Sequence, residues 1–270
     1  MAGGCAGGRG KVRVRDVLAA KGSRRLVMVT AYDYPSALAV DRAGVDMILV
    51  GDSLGMVVLG YESTLQVTLD DMTRHTAAVA RARPCALVVA DMPFMSYEPS
   101  VSKAVESAGA LARAGAEAVK LEGGSEYADR VRAIVNAGVP VVGHIGLTPQ
   151  RVHRLSGYRR QGKTEGEVRR LVEDARALEE AGAFAIVIEY TKADAARAVT
   201  ESVGVPTICI GSGPHCDGQV LVLHDLIGFS EFTPPFAKRY ADVMGVVTRA
   251  VAEYAREVRE GLFPGPGHYK

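Results

Sequence analysis

Seven short apolar runs, mostly β-branched, recur along the chain: Leu26–Thr30, Met47–Val50, Ala86–Ala90, Ala118–Leu121, Val139–Gly143, Phe184–Ile188 and Thr207–Ile210. They are apolar throughout rather than alternating, the pattern of strands buried on both faces in a parallel sheet. Pro140 has no N–H for a ladder, so regular pairing of the fifth strand is expected to begin at Val141. Between the runs the apolar period lengthens to that of a helix. Val101, Ala104, Val105, Ala108, Leu111 and Ala112 form one stripe, and Val168, Leu171, Val172, Ala175 and Leu178 another. Pro99 sits where a helical first turn tolerates it, and Thr68 with Asp71 has capping-box spacing. Ala43-Gly44, Ala114-Gly115, Ala137-Gly138 and Ala181-Gly182 close helical stretches just before a strand, each Gly a plausible C-cap.

This cadence of helix, Ala-Gly and strand predicts a βαβ series. An eighth strand is expected near Gln219–Leu223, although the gap after the seventh run is too short for an ordinary crossover helix. A last helix is expected near Phe236–Arg259, with Tyr240, Val243, Val247, Val251, Tyr254 and Val258 on it. Seven or eight parallel strands of similar length suit closure, so the predicted fold is a (β/α)₈ TIM barrel, a single domain over residues 11–270. A doubly wound sheet is the alternative. Met1–Gly10 is Gly-rich without an apolar core segment and reads as a disordered tail, not a signal peptide.

Composition narrows the classes. The 270 residues carry a net charge of +1, which gives no electrostatic case for nucleic acid or an anionic membrane. No apolar run approaches the roughly 20 residues needed to span a bilayer. Cys5, Cys85, Cys209 and Cys216 form no CxxC pair. Cys85 and Cys209 lie inside apolar runs and read as small buried hydrophobes, which favours a reduced, cytosolic setting over a disulfide scaffold.

In a barrel the active site is built at the C-terminal ends of the strands. The residues that close the apolar runs there include Asp52, Asp91, Glu122 and Glu189, together with Lys120 and His144. A single Asp after a strand often does no more than cap the following helix. Four carboxylates on one rim would repel and raise each other's pKa, a conflict that a divalent cation resolves. All-oxygen ligands favour Mg²⁺, which usually takes only one or two direct carboxylates. Asp52 and Asp91 are the expected direct ligands, with Glu122 direct or through water. Lys120 could instead pair with Glu122 or Asp91, and His144 could be a core histidine bonded to backbone. The long Gly51–Val67 connection is expected to be functional, often a lid. A second connection, His144–Lys163, carries Arg151, His153, Arg154, Arg159, Arg160 and Lys163, either a solvated basic loop or an attractor for an anionic tail.

The segments TAYDYPSA (Thr30–Ala37), LVGDSLGMVVLGYESTLQVT (Leu49–Thr68), ADMPFMSY (Ala90–Tyr97), VKLEGG (Val119–Gly124), GHIGLTPQ (Gly143–Gln150) and DGQVLVLHD (Asp217–Asp225) resemble, in order, the ketopantoate hydroxymethyltransferase family. The resemblance implies transfer of a one-carbon unit from 5,10-methylenetetrahydrofolate to 3-methyl-2-oxobutanoate, giving 2-dehydropantoate for pantothenate synthesis through a Mg-stabilised enolate. It implies Asp52, Asp91 and Glu122 around the metal, Asp52, Ser53, Asp91 and Lys120 around the ketoacid, and Glu189 as proton acceptor. It also implies a cytoplasmic homo-oligomer, a decamer. Pro214-His215-Cys216 and the terminal Pro266–Lys270 depart from the family's pattern, which bears on loop conformation and folate contacts. Three alternatives keep the residues but change the chemistry: a Mg-dependent lyase of the phosphoenolpyruvate/pyruvate barrel type, a Schiff-base aldolase using Lys120, and a catalytically silent homologue.

Overall fold

The computed structural model describes residues 9–269, so most of the expected tail lies outside the described residues. Its described end is tied down, with Arg9 Nη2 3.1 Å from Asp41 Oδ1. The chain falls into two compact units, Met1–Val222 and Leu223–Lys270.

The first unit is a closed barrel of eight parallel strands in chain order: β1 (Leu26–Thr30), β2 (Met47–Val50), β3 (Leu87–Asp91), β4 (Ala118–Glu122), β5 (Val141–Gly146), β6 (Ala185–Glu189), β7 (Thr207–Ile210) and β8 (Gly218–Leu221). β8 pairs with β1 and completes the ring. The helices are α1 (Val14–Leu18), α2 (Tyr34–Arg42), α3 (Leu54–Val57), α4 (Leu69–Arg81), α5 (Val101–Ala114), α6 (Ala128–Asn136), α7 (Glu165–Glu180) and α8 (Ala193–Ser202). Thr68 and Asp71 form the expected capping box of α4. The Ala-Gly glycines all adopt positive φ, from 87° at Gly44 to 110° at Gly115, a region closed to most side chains. Pro99 stands one residue before the N-cap rather than in the first turn, because Ser100 caps α5 with its hydroxyl.

Side chains alternate in and out along each strand. Leu26 and Met28, Met47 and Leu49, Leu87 and Val89, Ala118, Val142, Ala185 and Val187, Ile208 and Val220 fill the interior as one apolar cluster. Truncating a side chain in such a layer costs roughly 2–5 kcal/mol. Two residues further along, the same inward face carries Thr30, Asp91, Lys120, His144 and Glu189. The barrel is therefore filled with hydrocarbon below and lined with ionisable groups at its C-terminal mouth.

Two sequence expectations need correction. Gly51–Val67 is not an open loop. It contains α3 and a 3₁₀ turn over Thr64–Gln66, and Leu54 and Val67 are buried. The β7–β8 connection, residues 211–217, runs back without a helix, as its short length predicts. That return brings Cys216 to a Cα–Cα distance of 5.7 Å from Cys209, and the two form a disulfide, so the reduced reading fails here although both are buried.

The second unit, described by itself, holds α9 (Leu223–Ile227) and α10 (Val243–Arg259). α10 begins later than expected, since Asp242 caps it by accepting from Gly245 N, beyond the Pro234-Pro235 pair. None of its residues is buried, and Val247, Val251 and Tyr254 are 41%, 59% and 54% exposed.

Candidate active site

The strand register decides which polar groups meet. Asp91 lies opposite Lys120, Glu122 opposite His144, and Gly146 opposite Glu189. Asp52 follows β2 at the turn into α3, and its backbone N–H donates to Asp91 Oδ2 at 3.0 Å. The two carboxylates expected to share an ion therefore sit side by side. Lys120 Nζ is 3.1 Å from Asp91 Oδ1 and 2.9 Å from His144 Nδ1. His144 Nε2 faces Glu189 Oε2 at 3.3 Å, and its Nδ1 lies 3.6 Å from Glu122 Oε1. Asp52, Asp91, Lys120, Glu122 and His144 are all buried, whereas the Glu189 side chain keeps 18% of its surface. Ser53 stands at the start of α3, its hydroxyl 2.9 Å from Tyr32 Oη.

Crowding acids in a buried layer shifts their protonation. Burial and then the neighbouring Asp91 push Asp52 up to about 7, with Lys120 and Gln150 pulling the other way. Burial pushes Glu189 up to about 7, moderated by Lys120. Burial and Asp52 raise Glu122 well above the carboxylate range. Burial by itself would lower Lys120, but Asp91, Glu122 and Asp52 outweigh it, so the ammonium is held charged. Burial and the Lys120 charge push His144 well below the imidazole range, against Asp91 and the Leu147 backbone. The expectation that His144 only bonds backbone is thus incomplete, since its ring accepts from Lys120.

Several residues to which the sequence reading gave no role complete the layer. Gln150 donates from Nε2 to Asp52 Oδ2 at 2.7 Å and to Met92 O at 3.0 Å. Its backbone N–H reaches Glu122 Oε2 at 3.0 Å, and its Oε1 accepts from Tyr97 Oη at 2.9 Å. One buried residue thereby orients two of the four acids, Asp52 through its side-chain amide and Glu122 through its backbone N–H. Burial and then the charges of Glu189, Asp52 and Glu122 raise the phenol of the half-exposed Tyr158, which the 144–163 connection carries within electrostatic reach of these acids. Of the expected basic residues there, Arg151 is tied to Glu126 and lies over the Tyr127 ring, and Arg160 lies over Tyr190. The signal for Gln150 was present in the sequence, a polar residue ending the Gly143–Gln150 block, but nothing local says which acid it reaches 98 positions away.

Asp91 Oδ1 is buried without a hydrogen bond of good geometry, despite the nearby ammonium. Among the described residues, no group of three or more His, Cys, Asp or Glu side chains is placed so that together they could hold a metal ion.

The family profile described as Ketopantoate hydroxymethyltransferase matches residues 11–266. The 3-methyl-2-oxobutanoate hydroxymethyltransferase of Aeropyrum pernix is 66% identical over 258 residues, covering 96% of this chain and 94% of its own. The protein of the same name from Pyrobaculum calidifontis is 65% identical over 260 residues, covering 96% and 98%. Among solved structures, a 2,3-dimethylmalate lyase of the PEP mutase/isocitrate lyase superfamily aligns with a TM-score of 0.60 at 21% identity, covering 93% of this chain and 89% of that one. A phosphonopyruvate hydrolase in complex with oxalate and Mg²⁺ aligns with a TM-score of 0.62 at 16% identity, covering 96% and 93%. At such identities these two show the barrel fold alone. The barrel, the acidic mouth and the near-full-length match lead to one conclusion: the chain belongs to the ketopantoate hydroxymethyltransferase family, and is an enzyme of it.

Proposed function

We propose that this enzyme transfers a hydroxymethyl group from 5,10-methylenetetrahydrofolate to 3-methyl-2-oxobutanoate, giving 2-dehydropantoate, with Mg²⁺ and an enolate of the ketoacid. The observation that carries the reading is the cluster of Asp52, Asp91, Lys120, Glu122 and Glu189 at the mouth of a barrel of this family.

The donor set fits a hard divalent cation. Asp91 offers a buried oxygen lacking a good hydrogen bond, Asp52 stands beside it, and the burial-raised acids need a compensating charge. Mg²⁺ needs only one or two carboxylates with waters or substrate oxygens, so the lack of a complete protein shell does not count against it. Asp52 and Asp91 would hold the ion, with Glu122 direct or through water. When bound, Mg²⁺ supplies Lewis-acid polarisation of the ketoacid and charge stabilisation.

The chain's own residues do the rest. Lys120, fixed as a cation, binds the carboxylate or keto oxygen, and Ser53 adds a hydrogen bond. Glu189 takes the proton from the branched carbon. Its pKa near 7 suits a base that must accept a proton at neutral pH, and a positioned base typically contributes 10²–10⁴-fold. The carbanionic carbon then bonds to the methylene carbon of the folate, both carbon–nitrogen bonds of that methylene break as the folate nitrogens take up the proton held by Glu189 and one from a water molecule, and the same water supplies the hydroxyl oxygen of the product. Apolar walls below the layer keep bulk water out of the barrel.

Assembly and location belong to the same reading. We place the protein in the cytoplasm as a homo-oligomer, decameric as the family resemblance implies. The uncovered apolar stripe of α10 supports self-association. Among the described residues no helix is long and apolar enough to cross a membrane. A buried disulfide does not bar a cytoplasmic location, since some thermophilic lineages keep intracellular disulfides. The deciding experiment is turnover of 3-methyl-2-oxobutanoate to 2-dehydropantoate with and without 5,10-methylenetetrahydrofolate. Product that forms only with the folate supports the transferase. Folate-independent cleavage of a ketoacid makes it a lyase, a Lys120 adduct trapped by borohydride makes it an aldolase, and no turnover at all makes it a silent homologue.

A further inference from the structure

His144 sits at the centre of the acidic layer, and the chemistry above gives it no part. Its two ring nitrogens face different partners. A lysine ammonium has only donors, so the Nδ1 that meets Lys120 Nζ at 2.9 Å must be the acceptor. The contact from Nδ1 to Glu122 Oε1 is 3.6 Å, beyond hydrogen-bond reach, and does not compete for that role. A neutral ring that accepts at Nδ1 carries its hydrogen on Nε2. That nitrogen is buried without a hydrogen bond of good geometry; it faces Glu189 Oε2 at 3.3 Å, and the Leu147 backbone is a further polar group that acts on the ring. Among the described residues the Glu189 carboxylate accepts no hydrogen bond from any other side chain, and it is the acid of the layer with most surface open to the mouth. A buried donor left unpaired is costly, and catalytic hydrogen bonds are often long before substrate closes the site.

We propose that His144 is the positioning residue of the proton-accepting Glu189: Lys120 fixes the ring's tautomer, and the ring's Nε2–H holds Glu189 Oε2, leaving Oε1 turned toward the reacting carbon. This rests on the assignment of Glu189 as base. It explains why a histidine, rather than an aliphatic residue, occupies an inward barrel position between an ammonium and a carboxylate. Only imidazole accepts at one edge and donates at the other across that span. The same ring thereby couples the group that holds the ketoacid to the group that deprotonates it.

The test uses His144→Asn and His144→Gln in the full-length enzyme. Asn ends near the level of Nδ1, so it keeps an acceptor for Lys120 and loses the far donor. Gln is one methylene longer and returns an N–H toward Glu189. The readouts are exchange of the C3 proton of 3-methyl-2-oxobutanoate in D₂O with Mg²⁺ and no folate, followed by NMR, and crystal structures of the variants. For His144→Asn the exchange rate at saturation should fall about tenfold to hundredfold, the scale of a misplaced catalytic group. KM for the ketoacid should stay within about twofold, His144→Gln should recover most of the rate, and Glu189 should leave its position in the His144→Asn crystal. Wild-type exchange by His144→Asn, no rescue by Gln, or an unmoved Glu189 overturns the proposal. If the wild-type enzyme itself exchanges no proton, the assignment of Glu189 as base fails, and the position of Glu189 in the variant crystal still decides what His144 holds.

Discussion

The acidic layer makes a quantitative prediction about stability, pH and metal. Asp52 moves from 3.8 to about 7, roughly three units, so ionising it inside the metal-free barrel costs about 4 kcal/mol at about 1.36 kcal/mol per unit. Glu189 moves from 4.5 to about 7, a cost of about 3 kcal/mol. The two acids crowd one another, so the figures are not summed. Between the unfolded carboxylate values and pH 7, the folded state holds protons that the unfolded chain has released. Stability then falls as pH rises, by about 1.4 kcal/mol per pH unit for each retained proton. His144 acts oppositely, because its pKa is depressed in the fold, so its stabilising effect is present above the unfolded value near 6.5 and fades below it. Glu122 is raised as well, so at least one proton is retained after that offset, and going from pH 5 to pH 7 in a chelator should destabilise the protein by about 3 kcal/mol or more. For a chain of this size that is roughly 5–10 °C in Tm. Mg²⁺ reverses the sign, since it binds the ionised acids: at a hundred times its Kd it should return about 2.7 kcal/mol, more at higher pH as fewer protons compete. The assay is thermal unfolding by scanning fluorimetry from pH 5 to pH 8, with chelator and with excess Mg²⁺, for the wild type and Asp52→Asn. A chelated Tm that is flat or rises from pH 5 to 7, or a Mg²⁺ increment that does not grow with pH, refutes the reasoning.

Glu189→Gln should lower kcat by about 10²–10⁴-fold with little change in KM for the ketoacid. Because the base works only when ionised and its pKa is near 7, wild-type activity should decline below about pH 7, as steady-state rates across pH will show. Gln150→Leu removes the donor to Asp52, so metal affinity measured by calorimetry should drop about tenfold to hundredfold; unchanged affinity would mean that the amide orients nothing. Val251→Glu on α10 should reduce the assembled mass in light scattering and leave the barrel's secondary structure intact by circular dichroism. A mass unaffected by that charge would exclude the helix from the interface.

The strands were legible because a barrel strand is apolar on both faces, and six of the seven runs match their strands to within one residue at each end. The seventh, Val139–Gly143, becomes Val141–Gly146, beginning at Val141 as Pro140 requires. The systematic error is informative: β3, β4 and β6 extend one residue past their apolar runs to include Asp91, Glu122 and Glu189. Ladder pairing continues regardless of polarity, and the terminal residue is polar because it faces the mouth. The acids themselves were therefore readable from their place at strand ends. Their partners were not. Lys120 meeting His144, and Gln150 meeting Asp52, depend on strand register and on a turn that brings distant residues together. The Cys209–Cys216 bridge was hidden for a similar reason: burial of cysteine looks alike in sequence whether or not a helix-free return places two of them in contact.

The central claim is that Asp52 and Asp91 share one divalent ion at the mouth of the barrel. Anomalous diffraction from crystals soaked in Mn²⁺ with 3-methyl-2-oxobutanoate tests it directly. A single peak per chain within coordination distance of both carboxylates, about 2.0–2.3 Å, absent from Asp52→Asn crystals, is the predicted result. A peak bound elsewhere, or no ion at the mouth while the crystal still turns substrate over, would contradict the account.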